Sequence, residues 1–147
     1  MTDLQDLYQE IIIDHSKMPR NFGTLVDAQY VHTGHNPLCG DKVTVAIKMC
    51  EPCIEQILFT GEGCAISLAS ASLMTEFVKG KSMKEIQDMF AEFHGMVTTG
   101  QYNGDMAAKL GDLMVFAQLR DFPMRIKCAT LAWHTLRAVL ALPAGAS

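Results

Sequence analysis

Three cysteines in this chain lie close to glycine or proline, and one has a carboxylate two residues away. The stretch Asn36-Pro37-Leu38-Cys39-Gly40-Asp41 presents a thiol and an acid from one turn. Pro37 fixes φ there, and Gly40 permits conformations that other residues resist. The other two settings are Gly61-Glu62-Gly63-Cys64 and Pro123-Met124-Arg125-Ile126-Lys127-Cys128. Three thiols and Asp41 make a four-donor set suited to a tetrahedral metal. Cys64 stands just before one predicted helix and Cys128 in the early turns of another. Helix N-termini carry partial positive charge and free N–H groups, which favour thiolate over thiol, and Arg125 and Lys127 are expected to reinforce this. The thiolate is both metal ligand and sulfur nucleophile, so the placement serves either chemistry. Any one of these cysteines taken alone reads as a small core residue, because free Cys is among the most buried types. Three in such settings favour function. The long, unequal intervals between them match no compact zinc-finger rule, so spacing alone does not establish that they converge.

The remaining cysteines form Cys50-Glu51-Pro52-Cys53. Such a pair can be redox-active or supply metal ligands. In a turn and without partners it is a weak signal, and it is left outside the expected site. His134 does not share a helix face with Cys128 and is not counted as a ligand. The ten methionines fit core positions.

The elements that must carry these residues follow from periodicity. Leu4, Leu7, Tyr8, Ile11 and Ile12 recur at helical spacing over 2–16, with Thr2 and Gln5 as a capping box and Pro19 as the stop. A loop carrying Gly23 and a short strand over 29–33 lead to the Cys39 turn. Val43, Val45, Ile47 and Met49 then alternate with Lys42, Thr44, Ala46 and Lys48. With Ile54–Phe59 returning, residues 42–59 read as an antiparallel hairpin turning at Cys50–Cys53 and ended by Gly61 and Gly63. A helix over 65–79 has Ile66, Ala69, Leu73 and Phe77 on one face, and its many small residues let neighbours come close. Ser82 and Glu85 form a capping box opening a helix with Met83, Ile86, Phe90 and Phe93 inward. Residues 98–105 are turn-rich, Asp112 is expected to cap a short helix to about 119, and Pro123 opens a last helix to about 142. The tail 143–147 reads as frayed. The expected architecture is α+β, a small antiparallel sheet of about three strands covered by helices, in one domain over 1–147.

Composition bounds the function. Of 147 residues, 49% are apolar and 19% charged, ordinary for a globular protein with a real core. A formal net charge of −4 gives no electrostatic case for nucleic acid or an acidic membrane surface. The acidic start lacks the basic-then-apolar order of a secretory signal, and no apolar run reaches the ~18 residues of a membrane span. A cytoplasmic protein is expected, in which five cysteines do not build a disulfide framework.

The three cysteine motifs, Asn36–Asp41, Gly61–Ser67 and Arg125–Trp133, together resemble the IscU/NifU-N-terminal family of iron–sulfur cluster assembly proteins. The opening Leu7–His15, followed by Pro19-Arg20-Asn21, is similar to the start of that family, so the resemblance covers almost the whole chain. Within the family the chain looks like the SufU branch. The interval between Cys64 and Cys128 holds the extra helical segment of that branch, and Lys127 stands where IscU proteins carry histidine. Phe122–Lys127 replaces the Leu-Pro-Pro-Val-Lys chaperone-docking motif of IscU proteins. The resemblance implies an IscU/SufU-like fold and a site of Cys39, Asp41, Cys64 and Cys128, holding zinc (Zn2+) in SufU-type proteins. It also implies a cysteine desulfurase as partner and downstream iron–sulfur assembly or acceptor proteins. One activity it implies is a zinc-dependent sulfurtransferase, with Cys39 as acceptor of persulfide sulfur and Arg125 stabilising the charge. The other is a scaffold on which a transient 2Fe-2S cluster forms on Cys39, Cys64 and Cys128 before transfer. Lys127 and the extra segment favour the first.

Overall fold

The computed structural model describes residues 3–141. The expected Thr2–Gln5 capping box and the tail 143–147 lie outside what is described. Helix α1 (Asp3–Lys17) leads to three strands, β1 (Tyr30–Asn36), β2 (Asp41–Cys50) and β3 (Cys53–Glu62). They form one antiparallel sheet in the order β1-β2-β3. Helices α2 (Ala65–Val78), α3 (Met83–Thr99), α4 (Gly104–Leu110) and α5 (Pro123–Leu140) follow, with a 3-10 segment, Gly111–Phe116, between the last two. This is the expected α+β architecture.

The alternation read in β2 sets the buried face: Val43, Val45 and Ile47 are buried, joined from β3 by Ile54, Ile57 and Phe59. Helix α5 packs across β1 and β2, α2 lies against both α5 and β3, and α1 covers α2. Sandwiched in this way, α2 buries Ser67, Ala69, Ser70, Ala71 and Ser72 together with Leu73 and Met74. Small side chains let neighbouring backbones approach, and their hydroxyls need partners once buried. Ser70 donates to the Ala129 carbonyl of α5, and Ser72 Oγ is 2.7 Å from His15 Nδ1 of α1. Arg20 N–H also donates to Ser72 Oγ. Helix α1 therefore buries Tyr8, Ile11, Ile12 and His15 at least in part, while Leu7, expected on that face, is half exposed.

Ser82 and Glu85 make the expected reciprocal cap of α3, which buries Ile86 and Phe93 fully and leaves Met83 and Phe90 half-buried. The expected cap at Asp112 is not formed. Asn103 Oδ1 accepts from Met106 N–H and starts α4 earlier, so Asp112 falls inside the 3-10 turn that follows. Strand β1 also runs further than expected, to Asn36, because its pairing with β2 continues to the Asn36–Asp41 pair at the mouth of the turn. That extension carries the cysteine turn to one end of the sheet.

Candidate metal centre

The β1–β2 turn is closed by Cys39 N–H donating to the Asn36 carbonyl, with Gly40 at φ 72°. It delivers Cys39 half-buried, beside a Leu38 that is 64% exposed, and sends Asp41 into the interior at 2% exposure. Strand β3 ends at Glu62 next to the start of β2, so Gly63 and Cys64 arrive at the same place. Gly63 is required there. Its φ is 143°, and a Cβ on it would stand 2.2 Å from Asp41 Oδ1. The closeness is used: Cys64 N–H donates to Asp41 Oδ1 at 2.9 Å, and Cys64 Sγ lies 3.8 Å from Oδ2. Cys64 is also the cap of α2, its sulfur accepting from Ser67 N–H at 3.4 Å.

Cys128 comes from α5, which packs over β1 and β2 and buries it to 3% exposure. Donor atoms of Cys39, Asp41 and Cys128 all lie within 4.8 Å of one another. Cys64 adjoins this trio through Asp41. The four residues expected to meet are thus at one end of the sheet. A zinc–sulfur bond of about 2.3 Å in a tetrahedron puts donors roughly 3.7 Å apart, a spacing that the Cys39–Asp41–Cys128 trio approaches and that Cys64 meets through Asp41. One carboxylate oxygen is anchored by the Cys64 amide and the other faces the Cys64 sulfur, the kind of outer support that a metal ligand generally needs.

The expectation that Cys128 favours thiolate is corrected. Burial first, then hydrogen bonding with Asp41, Cys39 and Cys64, pushes its thiol far up. Cys128 lies past the first turn of α5, and desolvation outweighs what the helix start supplies. Arg125 and Lys127 are exposed, and the Arg125 guanidinium lies over the Phe122 ring at 5.1 Å. Asn36 joins the site without a signal of its own beyond its place as first residue of the turn motif. Buried Asn36 directs Nδ2 at Cys128 Sγ, 3.8 Å away. Cys50 and Cys53 sit at the far end of β2 and β3, outside the cluster, and His134 packs with Phe90 and His94 between α3 and α5.

Fold and site define a class: a small α+β protein with a cysteine–aspartate donor cluster at one end of its sheet. Residues 7–129 match the family model described as the NifU-like N terminal domain. The chain belongs to that family. It is 41% identical to the zinc-dependent sulfurtransferase SufU of Bacillus subtilis, over 97% of this chain and 95% of that one. It is 40% identical to the iron–sulfur cluster assembly scaffold protein IscU of Streptococcus pyogenes, over 99% and 90%. A crystal structure from Fervidobacterium islandicum, described as a candidate iron–sulfur cluster assembly scaffold for the SUF system, superposes with a TM-score of 0.83 at 34% identity. That match covers 92% of this chain and 98% of that one. Among the described residues no helix is long and apolar enough to cross a membrane.

Proposed function

We propose that this chain is an iron–sulfur cluster assembly protein working as a zinc-dependent sulfurtransferase, with Cys39 accepting persulfide sulfur from a cysteine desulfurase. The observation that carries this reading is the asymmetry of the cluster: Asp41 and Cys128 are buried, while Cys39 is half-buried on a turn beside exposed Leu38. The Cys39 sulfur can meet a partner from its turn while Cys128 and Asp41 stay inside, and Cys64, also half-buried, is fixed at the start of α2. The name of the Bacillus subtilis relative supports the same activity.

Cys39, Asp41, Cys64 and Cys128 would hold the ion, whose charge keeps the thiols ionised and the site ordered when bound. Cys39 thiolate attacks the outer sulfur of the desulfurase persulfide. The sulfur–sulfur bond breaks, the desulfurase cysteine leaves as thiolate, and Cys39 carries the persulfide for downstream assembly or acceptor proteins. Asp41, tied by Oδ1 to Cys64 N–H, keeps its end of the site in place while Cys39 engages its partner. Arg125, exposed on the first turn of α5, supplies positive charge to thiolate or persulfide.

A second reading, a scaffold for a 2Fe-2S cluster, draws on the same three thiolates and on the names of the Streptococcus and Fervidobacterium relatives. The deciding experiment is cysteine-dependent sulfide release by the desulfurase, with mass spectrometry of Cys39 and elemental analysis of protein purified with and without air. About one zinc per chain, stimulation by the wild type, a persulfide on Cys39 and none of this stimulation with Cys39→Ser are expected. Unchanged stimulation by Cys39→Ser refutes the acceptor role. A stable reconstituted cluster without stimulation supports the scaffold.

A further inference from the structure

The cysteines left over from the donor cluster are not scattered. Cys50 ends β2, Cys53 begins β3, and the two are direct partners across the antiparallel pair, joined by the turn Glu51-Pro52. Facing residues of an antiparallel pair have Cα atoms about 4.5–5.5 Å apart, inside the roughly 4.4–6.8 Å window of a disulfide. Their side chains leave the same face of the sheet. Cys50 is exposed and Cys53 half-buried. Cys53 is held from behind: it bridges Ser82, Ile54 N–H donates to the Lys81 carbonyl, and Gly80 N–H to the Ile54 carbonyl. The pair is therefore preset in register and anchored on one side, with one sulfur open to a reagent. From Asp41 to Cys50 the strand spans about 30 Å, so neither thiol reaches the donor cluster of its own chain.

We propose that Cys50 and Cys53 form a second, separate thiol site: a surface dithiol that exchanges with low-molecular-weight disulfides such as oxidised glutathione and closes to an intrachain disulfide. Cys50 thiolate attacks one sulfur of the reagent, forming a mixed disulfide and expelling one reagent thiolate. Cys53 thiolate then attacks the Cys50 sulfur, forming the Cys50–Cys53 bond and expelling the second. Two protein thiols are oxidised and one reagent disulfide is reduced to two thiols, each thiolate taking up a proton from solvent. Ring closure needs side-chain rotation rather than strand movement, since the partners already face one another. The ring encloses only the turn, so it constrains the unfolded chain little and stays open to reduction. None of this depends on what the donor cluster holds.

The test treats the intact, metal-loaded protein with excess oxidised glutathione, followed by alkylation and intact mass measurement. Wild type is expected to lose two alkylatable thiols with no glutathione attached, to keep its metal, and to recover fully with dithiothreitol. Cys53→Ser is expected to stop at a stable single glutathione adduct on Cys50, because the resolving thiol is gone. Stable glutathione adducts on the wild type, or no reaction, would overturn the proposal. So would thiol loss that persists in the Cys50→Ser, Cys53→Ser double variant.

Discussion

At the Asp41 end of β2, thiols from three distant stretches of chain gather round one carboxylate, with Asp41 and Cys128 buried and supported by Asn36 and the Cys64 amide. At the Cys50 end two thiols close in sequence face each other across a turn, one of them exposed. The side chains are the same, and the packing around them differs. Burial without an ion makes the Cys128 thiol resist ionisation, a cost that a bound metal offsets. At the other end Cys50 is exposed beside a half-buried Cys53, so solvent species reach the pair directly. One strand therefore carries a buried donor cluster at one end and a two-thiol turn open to solvent at the other.

The buried end is the more easily disrupted of the two. Gly63→Ala puts a Cβ into the Asp41 carboxylate at a positive φ, so either the carboxylate or the backbone must move. Strain of this kind costs on the order of 1–3 kcal/mol. The expected result is a lowered unfolding midpoint together with loss of most bound metal, read by calorimetry and elemental analysis. Retention of full metal content would show that Asp41 is not a ligand.

Asp41→Ala removes one donor and leaves the Cys64 amide without its acceptor, which costs about 1–3 kcal/mol. Metal affinity should fall, yet sulfur transfer should survive better than in Cys39→Ser, because the acceptor thiol remains. Equal loss in both variants would mean that the carboxylate is needed for the transfer itself.

His15 lies away from both ends and offers a control of different character. Burial, then the nearby Arg20 charge, lowers its pKa below the ordinary value, with Glu76, Asp14 and Asp112 acting weakly the other way. The folded state thus favours the neutral ring that meets Ser72, and the unfolded chain binds the proton more readily. Stability from this group is complete above the ordinary histidine pKa of about 6.5 and is lost as pH falls towards the depressed folded value. The unfolding midpoint should drop between pH 7.5 and 5.5, and His15→Gln should flatten that dependence. An identical slope in the variant would assign the pH effect elsewhere.

The smallest effect is expected at the exposed end. Cys50→Ser with Cys53→Ser should leave metal content and sulfur transfer nearly intact under reducing conditions. Zinc loss in that variant would erase the distinction between the two ends.

Much of this was legible where local signals are strong. The alternation from Val43 to Ile47 gave the buried face of β2, and Ser82 with Glu85 gave the start of α3. Asp112 failed as a cap because Asn103, an equally good cap, lies earlier and captures the helix start. Leu7 was placed inward by a pattern that admits several faces, and packing against α2 selected the one centred on Tyr8, Ile11, Ile12 and His15. The glycine and proline settings single out the four donors, but their convergence rests on family resemblance, because nothing local says that residues so far apart in sequence will meet. The protonation preference of Cys128 and the role of Asn36 depend on what surrounds them after folding, and no periodicity encodes that.

The donors come from the turn before β2, the junction before α2 and the body of α5, so the cluster exists only while three separately ordered stretches remain together. Any opening that lifts α5 from the sheet also parts Cys128 from Cys39 and Asp41. Amide hydrogen exchange in the early turns of α5 therefore serves as a clock for the cluster. Metal loading should slow that clock, and it should leave exchange beside the Cys50–Cys53 turn unchanged.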